Sequence, residues 1–332
     1  MAQNHSNKYV SCDWVNNGLE FRRDSIRTCC YAYLQDLMET DSTIIEDYHG
    51  ENLDWDSIIE IKNKQIELHK SGKVLPQCEG CIYLYEKEWN DDIFIDHITL
   101  NHWSKCNCDC TYCYAADDKI KFNTFKHYDF FPILKDMIER KILRATPRSC
   151  IIFGGGEPTI LENFDETIML LLNNGFRNIR INSSGIKYSK SIEEGLKLGA
   201  ISLVISPDAG TKGTYEKIKQ VKTFDKVWEN IRKYVVNSNY SDKIKSKYII
   251  IPGINDNTEE LDAWFNKVLE SGAKSVSASV EQAWYAKTAP YFSEDVYNMI
   301  KYIEKKAALL NLELELYIEA LSLIKKYEEN HK

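Results

Sequence analysis

Four of the ten cysteines in this 332-residue chain fall within eight positions, in the stretch KCNCDCTYCY at residues 105–114. A closed zinc site needs four ligands in a tetrahedral array, usually drawn from two separate hairpins or knuckles. Four cysteines this close along one chain would struggle to surround one ion. Three of them, Cys106, Cys110 and Cys113, have the spacing C-x3-C-x2-C. A loop so spaced can reach three irons of a [4Fe–4S] cube and leave the fourth iron without a protein ligand. An iron left open can hold an outside ligand, which is useful for chemistry. Cys108 reads as a spare thiol of the loop.

A second stretch, FGGGEPT at 153–159, departs from the G-x-G-x-x-G dinucleotide fingerprint because Glu-Pro follows the glycines at once. Glycines at a strand end let a backbone approach a ligand closely, and the carboxylate of Glu157 could bind an ammonium group. On its own the stretch reads as a tight turn. The remaining cysteines are Cys12, Cys29, Cys30, Cys78 and Cys81 near the start and Cys150 alone; none follows it. This asymmetry suggests a cysteine-rich module over 1–90 joined to a larger domain over 91–332. Cys150 reads as a small core residue, and His97 and His102 as packing or loop residues.

The composition fits that division. With 43% hydrophobic and 28% charged residues the chain can bury a full core. A formal charge of −8 argues against a nucleic-acid or anionic-membrane partner. The start, MAQNHSNKYV, has no basic segment followed by an apolar one, and no run approaches the length needed to cross a bilayer. The expected setting is cytoplasmic, where thiols stay reduced and clustered cysteines bind metal.

The elements that must position these residues alternate. Strands are expected at 95–101, 149–153, 177–182, 201–206, 247–251 and 274–280. Between them lie FPILKDMIERKIL, FDETIMLLLNNG, SKSIEEGLKLG, TFDKVWENIRKYVVN and TEELDAWFNKVLESG, with apolar residues recurring at three and four positions. Gly175 and Gly199 stand where helices stop. Strands alternating with helices imply a parallel sheet. Six such units, followed by SEDVYNMIKYIEKKAALLN and a short LELELYI, predict an α/β fold, a partial (β/α)6 TIM-type barrel. Barrel ligands gather at the C-terminal strand ends, and the cysteine stretch begins just after the first strand. The acidic EWNDDIFID at 88–96 reads as a solvated linker. The tyrosine-rich 281–292 could line a substrate mouth or form a plain surface loop.

Together the two motifs resemble the radical SAM superfamily. Its pattern is C-x3-C-x-aromatic-C after the first barrel strand, with Tyr112 as the aromatic, and Gly-Gly-Glu-Pro after the second. The resemblance runs over roughly residues 95–285. INSSG sits where the family often has TTNG, ISPDAGTKGTYEKIKQVKTFDKVWENI looks like its fourth-strand stretch, and KYIIIPGINDN like its fifth. The resemblance implies that Cys106, Cys110 and Cys113 hold a [4Fe–4S] cluster whose open iron chelates S-adenosylmethionine (SAM). It implies Tyr112 near the adenine, Gly155, Gly156 and Glu157 at the amine, Ser184 near the ribose, and Ser206 with Lys219 near the carboxylate. Two positions depart from the family: Ser184 replaces asparagine, and Lys219 replaces arginine, which removes a bidentate grip on carboxylate. The implied chemistry is reductive cleavage of SAM to a 5′-deoxyadenosyl radical that takes hydrogen from a substrate carbon. An electron donor such as flavodoxin or ferredoxin is implied with it.

The first quarter is similar to the SPASM-type auxiliary-cluster extension, whose order is Cys, a short strand pair, Cys-Cys, a W..I helix, then C-x2-C. That extension normally follows the barrel, whereas these residues precede it. Asp24 replaces a turn glycine of the pattern, which favours Cys29 over Cys30. Cys12, Cys29, Cys78 and Cys81 would then bind a second [4Fe–4S] cluster, or equally a structural zinc. Three functions stay open. One is a radical SAM enzyme acting on a peptide, sugar or small metabolite by oxidation, epimerisation or cross-linking. The others are an iron–sulfur electron carrier and a zinc-stabilised interaction module.

Overall fold

Alternation along single strands shows how the chain is layered. In a parallel sheet covered on both faces, strands read as near-continuous apolar runs. In Ile244–Ile250 only every second residue is fully buried, and Lys245, Lys247 and Ile249 between them are half-exposed. One face therefore packs under helices while the other lines a polar interior. The computed structural model describes residues 8–22, 25–29, 44–47, 53–81, 83–90, 92–102, 105–113, 129–281 and 294–330.

The strands are β1 (Lys8–Ser11), β2 (Gly18–Phe21), β3 (Ser25–Arg27), β4 (Ile44–Asp47), β5 (Tyr85–Glu88), β6 (His97–Asn101), β7 (Cys150–Gly154), β8 (Ile179–Ser183), β9 (Ile201–Ile205), β10 (Ile244–Ile250), β11 (Ser275–Val280) and β12 (Glu313–Leu316). The helices are α1 (Asp13–Asn17), α2 (Trp55–Lys70), α3 (Phe130–Glu139), α4 (Phe164–Asn173), α5 (Lys190–Lys197), α6 (Lys212–Lys219), α7 (Phe224–Asn237), α8 (Thr258–Ser271), α9 (Glu294–Leu309) and α10 (Ile318–Asn330). All six strands expected from the repeat are present, with ends moved by no more than three residues. LELELYI supplies a seventh, β12.

β6 to β12 pair in sequence order, all parallel. Their helix-side residues, among them Ile151, Phe153, Ile181, Leu203, Tyr248 and Val276, form the main core with Trp264, Phe265 and Ile168. The sheet also curls. Arg180 of β8 donates to Glu315 of β12 at 2.8 Å although three strands lie between. Laid flat, those strands would stand about 19 Å apart, beyond the reach of the two side chains. The interior is thus enclosed as in a partial barrel.

The N-terminal region joins this sheet. β2 runs parallel to β6, and β3 and β4 continue antiparallel from it to the edge. Leu19, Phe21, Ile26, Trp55 and Ile58 belong to the main core. A smaller core of Tyr9, Val15, Ile66, Leu75 and Trp89 encloses Cys12 and Cys78, beside the β1–β5 pair.

The stretch 88–96 is not a solvated linker. Trp89, Phe94, Ile95 and Asp96 are buried. Trp89 Nε1 donates to Tyr9 O at 2.9 Å, and Asp96 accepts from Thr146 Oγ1 at 2.8 Å. Its charges flank apolar anchors that seat the strand entering the barrel. Cys150 is half-buried at the start of β7 rather than deep in the core, where burial still raises its thiol pKa. His97 pairs with Asp96, and His102 is buried. Asp24, Cys30 and residues 282–292 lie outside the described residues.

Candidate cofactor site at the strand ends

Just past β6 the chain forms the cysteine loop, and backbone hydrogen bonds fix where it lies. Glu157 N donates to Lys105 O at 2.9 Å, joining the loop to the glycine-rich turn after β7. Asp109 N and Thr111 N donate to Lys219 O at 3.1 Å and Ile218 O at 2.9 Å, docking it on the last turn of α6. Ser184 Oγ donates to Asn107 Oδ1 at 2.9 Å, tying it to the end of β8. Loops from three successive strands and the helix after the fourth therefore meet at one end of the barrel.

The thiol chemistry of this loop is uneven. Cys108 is buried beside Cys106 and Cys110, and hydrogen bonding to it lowers both neighbours. Cys110 is held down at about 6, with Lys219 adding to that effect against burial. Cys108 itself is raised. Iron is bound by thiolates, so the half-buried Cys106, Cys110 and Cys113 make a donor set that fits an iron–sulfur cluster. Among the described residues, no three His, Cys, Asp or Glu side chains are drawn closely enough to enclose a single metal ion.

In the glycine-rich turn, Gly155 and Gly156 take φ of 59° and 90°, backbone that side chains resist. A Cβ on Gly156 would also stand 2.5 Å from His102 Cε1 and 2.6 Å from Lys105 O. Close approach of the cysteine loop thus requires glycine there. The Glu157 carboxylate is buried and accepts four hydrogen bonds: from Thr159 N (3.1 Å), Thr159 Oγ1 (2.6 Å), Ser183 Oγ (2.9 Å) and Ser184 N (2.5 Å). Three of these fall on Oε1 and only Ser184 N on Oε2, so Oε2 keeps acceptor capacity for an incoming ammonium.

Ser206 is half-buried, and its N–H donates to Ser183 O at 3.2 Å. Lys219 is enclosed. Its ammonium is ion-paired with Asp208 and donates to Tyr112 Oη at 2.7 Å, while Tyr112 Oη donates to Asp208 Oδ2 at 2.6 Å. Burial would lower the Lys219 pKa, but Asp208, Cys110 and Tyr112 together hold it well above the ordinary value. Asp208 was not singled out from the sequence. Its signal was present, since a buried lysine demands a carboxylate and PDAG lies just past β9. Asn107 was missed as well.

At the other end of the N-terminal region, Cys12 caps α1 and accepts from Val15 N at 3.4 Å. Cys81 N donates to Cys78 O at 3.0 Å. Burial raises Cys12 to about 11 and Cys78 to about 12. Cys29 and Cys81 raise Cys12 further, and Cys12, Cys29 and Cys81 raise Cys78, so the four thiols share one neighbourhood. Lys62, also unremarked in the sequence, is fully buried beside them and donates to Trp14 O at 3.1 Å and Gly18 O at 2.7 Å. Burial lowers its pKa to about 7, while Cys12 and Cys29 act to raise it.

Residues 100–265 match the radical SAM superfamily. GTP 3′,8-cyclase of Haemophilus influenzae is 26% identical over 176 residues, covering 51% of this chain and 49% of that protein. 7,8-Dihydro-6-hydroxymethylpterin dimethyltransferase of Methanocaldococcus jannaschii is 27% identical over 165 residues, 46% of this chain and 30% of that one. The chain thus spans half or less of the length of these curated relatives. Among solved structures, Streptococcus suis SuiB bound to its precursor peptide SuiA aligns with a TM-score of 0.52 and 14% identity, covering 86% of this chain and 60% of SuiB.

Proposed function

The chain belongs to the radical SAM superfamily, and on that premise we propose that it cleaves SAM reductively and removes hydrogen from a C–H bond of a substrate held in its barrel. The observation that carries this reading is the joining of the cysteine loop to the glycine-rich turn and to β8, through Lys105 O with Glu157 N and Asn107 with Ser184. An electron carrier has no need of such a cradle.

Cys106, Cys110 and Cys113 would hold the cluster. When bound, the cluster and SAM together supply a 5′-deoxyadenosyl radical able to abstract hydrogen from an unactivated carbon. The protein's part is to bind, orient and exclude. Gly155 and Gly156 keep the backbone flat against the cysteine loop, and Glu157 offers a carboxylate to the amine. Tyr112, pinned by Asp208 and Lys219, presents its ring toward the adenine. Ser184 would serve the ribose and Ser206 the carboxylate, while Lys219, whose ammonium is enclosed by Asp208 and Tyr112, would act by holding Tyr112 in place rather than by gripping the carboxylate. The curled sheet keeps water and competing donors from the reacting carbon.

Residues 1–90 form an auxiliary module in this reading, with Cys12, Cys29, Cys78 and Cys81 binding a second [4Fe–4S] cluster rather than zinc. Electrons come from a flavodoxin or ferredoxin. The outcome is oxidation, epimerisation or cross-linking of a peptide, sugar or small metabolite; SuiB is a neighbour bound to a peptide, and the curated relatives include a cyclase and a methyltransferase. No helix among the described residues is long and apolar enough to cross a membrane.

Calorimetry of SAM on the anaerobically reconstituted protein tests the site. A hydrogen bond to a charged group contributes about 1.5–3 kcal/mol, so Glu157→Ala should weaken SAM roughly 10- to 150-fold. Replacing Cys106, Cys110 and Cys113 together with alanine should abolish binding. Unchanged affinity in both variants overturns the assignment.

A further inference from the structure

The interior face of the barrel carries charge that the cofactor reading does not use. Glu315 accepts from Arg180 Nη1 at 2.8 Å, from Arg180 Nη2 at 3.3 Å and from Lys245 Nζ at 2.7 Å. Arg180 also donates to Tyr317 Oη at 2.6 Å, and Lys247 Nζ lies 3.8 Å from the centre of the Tyr317 ring. Among the described residues, Glu315 is the only carboxylate paired with any of these three cations. Glu319, at the start of α10, accepts from Ser279 Oγ instead. Three cations therefore share one ion-paired carboxylate, on side chains that stay only 23–24% exposed at Arg180 and Lys245, while Glu313, on the same face of β12, accepts from Ser275 Oγ.

A second observation comes from Ser277. It stands in register between Lys247 on β10 and Glu315 on β12, yet its buried hydroxyl has no hydrogen-bond partner among the described residues. Buried polar groups are normally paired. An unpaired hydroxyl between a cation and a charged cluster marks a place where an outside acceptor fits. Register also fixes the height. Ser246 pairs with Ile205 and Ile205 with Ser183, so Lys247 is level with Ser206 and Ser184, one step on.

We propose that this cluster is a substrate subsite for a dianionic group, and that the substrate is a phosphorylated small molecule. A phosphate ester carries about −1.5 to −2 charges at pH 7, and its oxygens accept from both ammonium and hydroxyl, the two donor types that Lys247 and Ser277 present. Lys247 and Ser277 hold the phosphate, Lys245 and Arg180 supply the field, and Tyr317 walls the site. The reacting carbon is anchored level with Ser184 and Ser206. The inference rests on the SAM reading for that placement, but the anion site stands on its own residues.

The test is calorimetry on the reconstituted, SAM-loaded protein with inorganic phosphate, acetate, glucose 6-phosphate and GTP as probes. Phosphate should bind more tightly than acetate, and Lys247→Met should weaken it at least tenfold while SAM affinity changes less than twofold. Lys247→Arg should retain binding, which separates loss of charge from loss of fold, and Ser277→Ala should weaken phosphate several-fold. The two esters distinguish a sugar phosphate from a nucleotide. Phosphate binding no tighter than acetate, or unaffected by Lys247→Met, overturns the proposal. SAM bound without phosphate leaves the cofactor site standing and removes the subsite. Phosphate bound through Lys247 without SAM does the reverse.

Discussion

The ammonium of Lys219 is ion-paired with Asp208 inside the protein, and the Tyr112 hydroxyl bridges the two. Asp208 Oδ1 also accepts from Ile249 N at 2.9 Å, so one carboxylate fixes the cysteine loop, α6 and β10 together. Removing one partner of a buried pair leaves an uncompensated charge and costs about 3–5 kcal/mol. Asp208→Asn should destabilise by that order in denaturant unfolding, and adding Lys219→Met should recover part of it. Equal stability of Asp208→Asn and wild type would mean that the pair does not form.

Gly156 meets two demands at once, a left-handed φ and contact with His102 and Lys105. Backbone strain of this kind costs about 1–3 kcal/mol before any clash is counted. Gly156→Ala should therefore lower the unfolding free energy by at least that much and weaken SAM binding. A variant as stable as wild type would show that the turn does not press on His102.

Burial keeps the His102 imidazole neutral, with its pKa pushed down to about 3 and Lys105 adding to the effect. The unfolded chain takes up this proton near pH 6.5, and the folded chain does not until about pH 3. Stability is thus lost as pH falls below 6.5, by about 1.4 kcal/mol between pH 7.5 and 5.5. His102→Gln should remove that share of the slope; parallel stability curves for the two proteins would contradict it.

Much of this fold was legible because its barrel strands and helices obey simple periods. The stretch KYIII at 247–251 was read as a strand from its apolar end, so its extension back to Ile244 and the polar interior face carried by Lys245 and Lys247 stayed hidden. β2, β3 and β4 are short, and their membership of the main sheet depends on pairing with β6 that no local pattern encodes. α6 was not singled out as a helix, because KGTYEKIK has few apolar residues to mark a stripe. In EWNDDIFID, the charges masked the buried Trp89 and Ile95. At the site, the cysteines and glycines were readable because their spacing is the chemistry. Asp208, Asn107 and Lys62 were not, since each acts through partners distant in sequence.

The shared neighbourhood of Cys12, Cys29, Cys78 and Cys81 predicts a second cluster. After reconstitution, the Cys106/Cys110/Cys113→Ala variant should retain about four irons and four sulfides per chain and give a cluster signal on reduction. One tightly held zinc without iron would make the module structural.

The central claim is that the cysteine loop and the glycine-rich turn form one SAM-cleaving site. Its most direct test is the yield of 5′-deoxyadenosine and methionine from SAM when the anaerobically reconstituted protein is reduced with dithionite. Wild type should form both, and the Cys106/Cys110/Cys113→Ala variant neither. Cleavage by the triple variant at the wild-type rate would contradict the account.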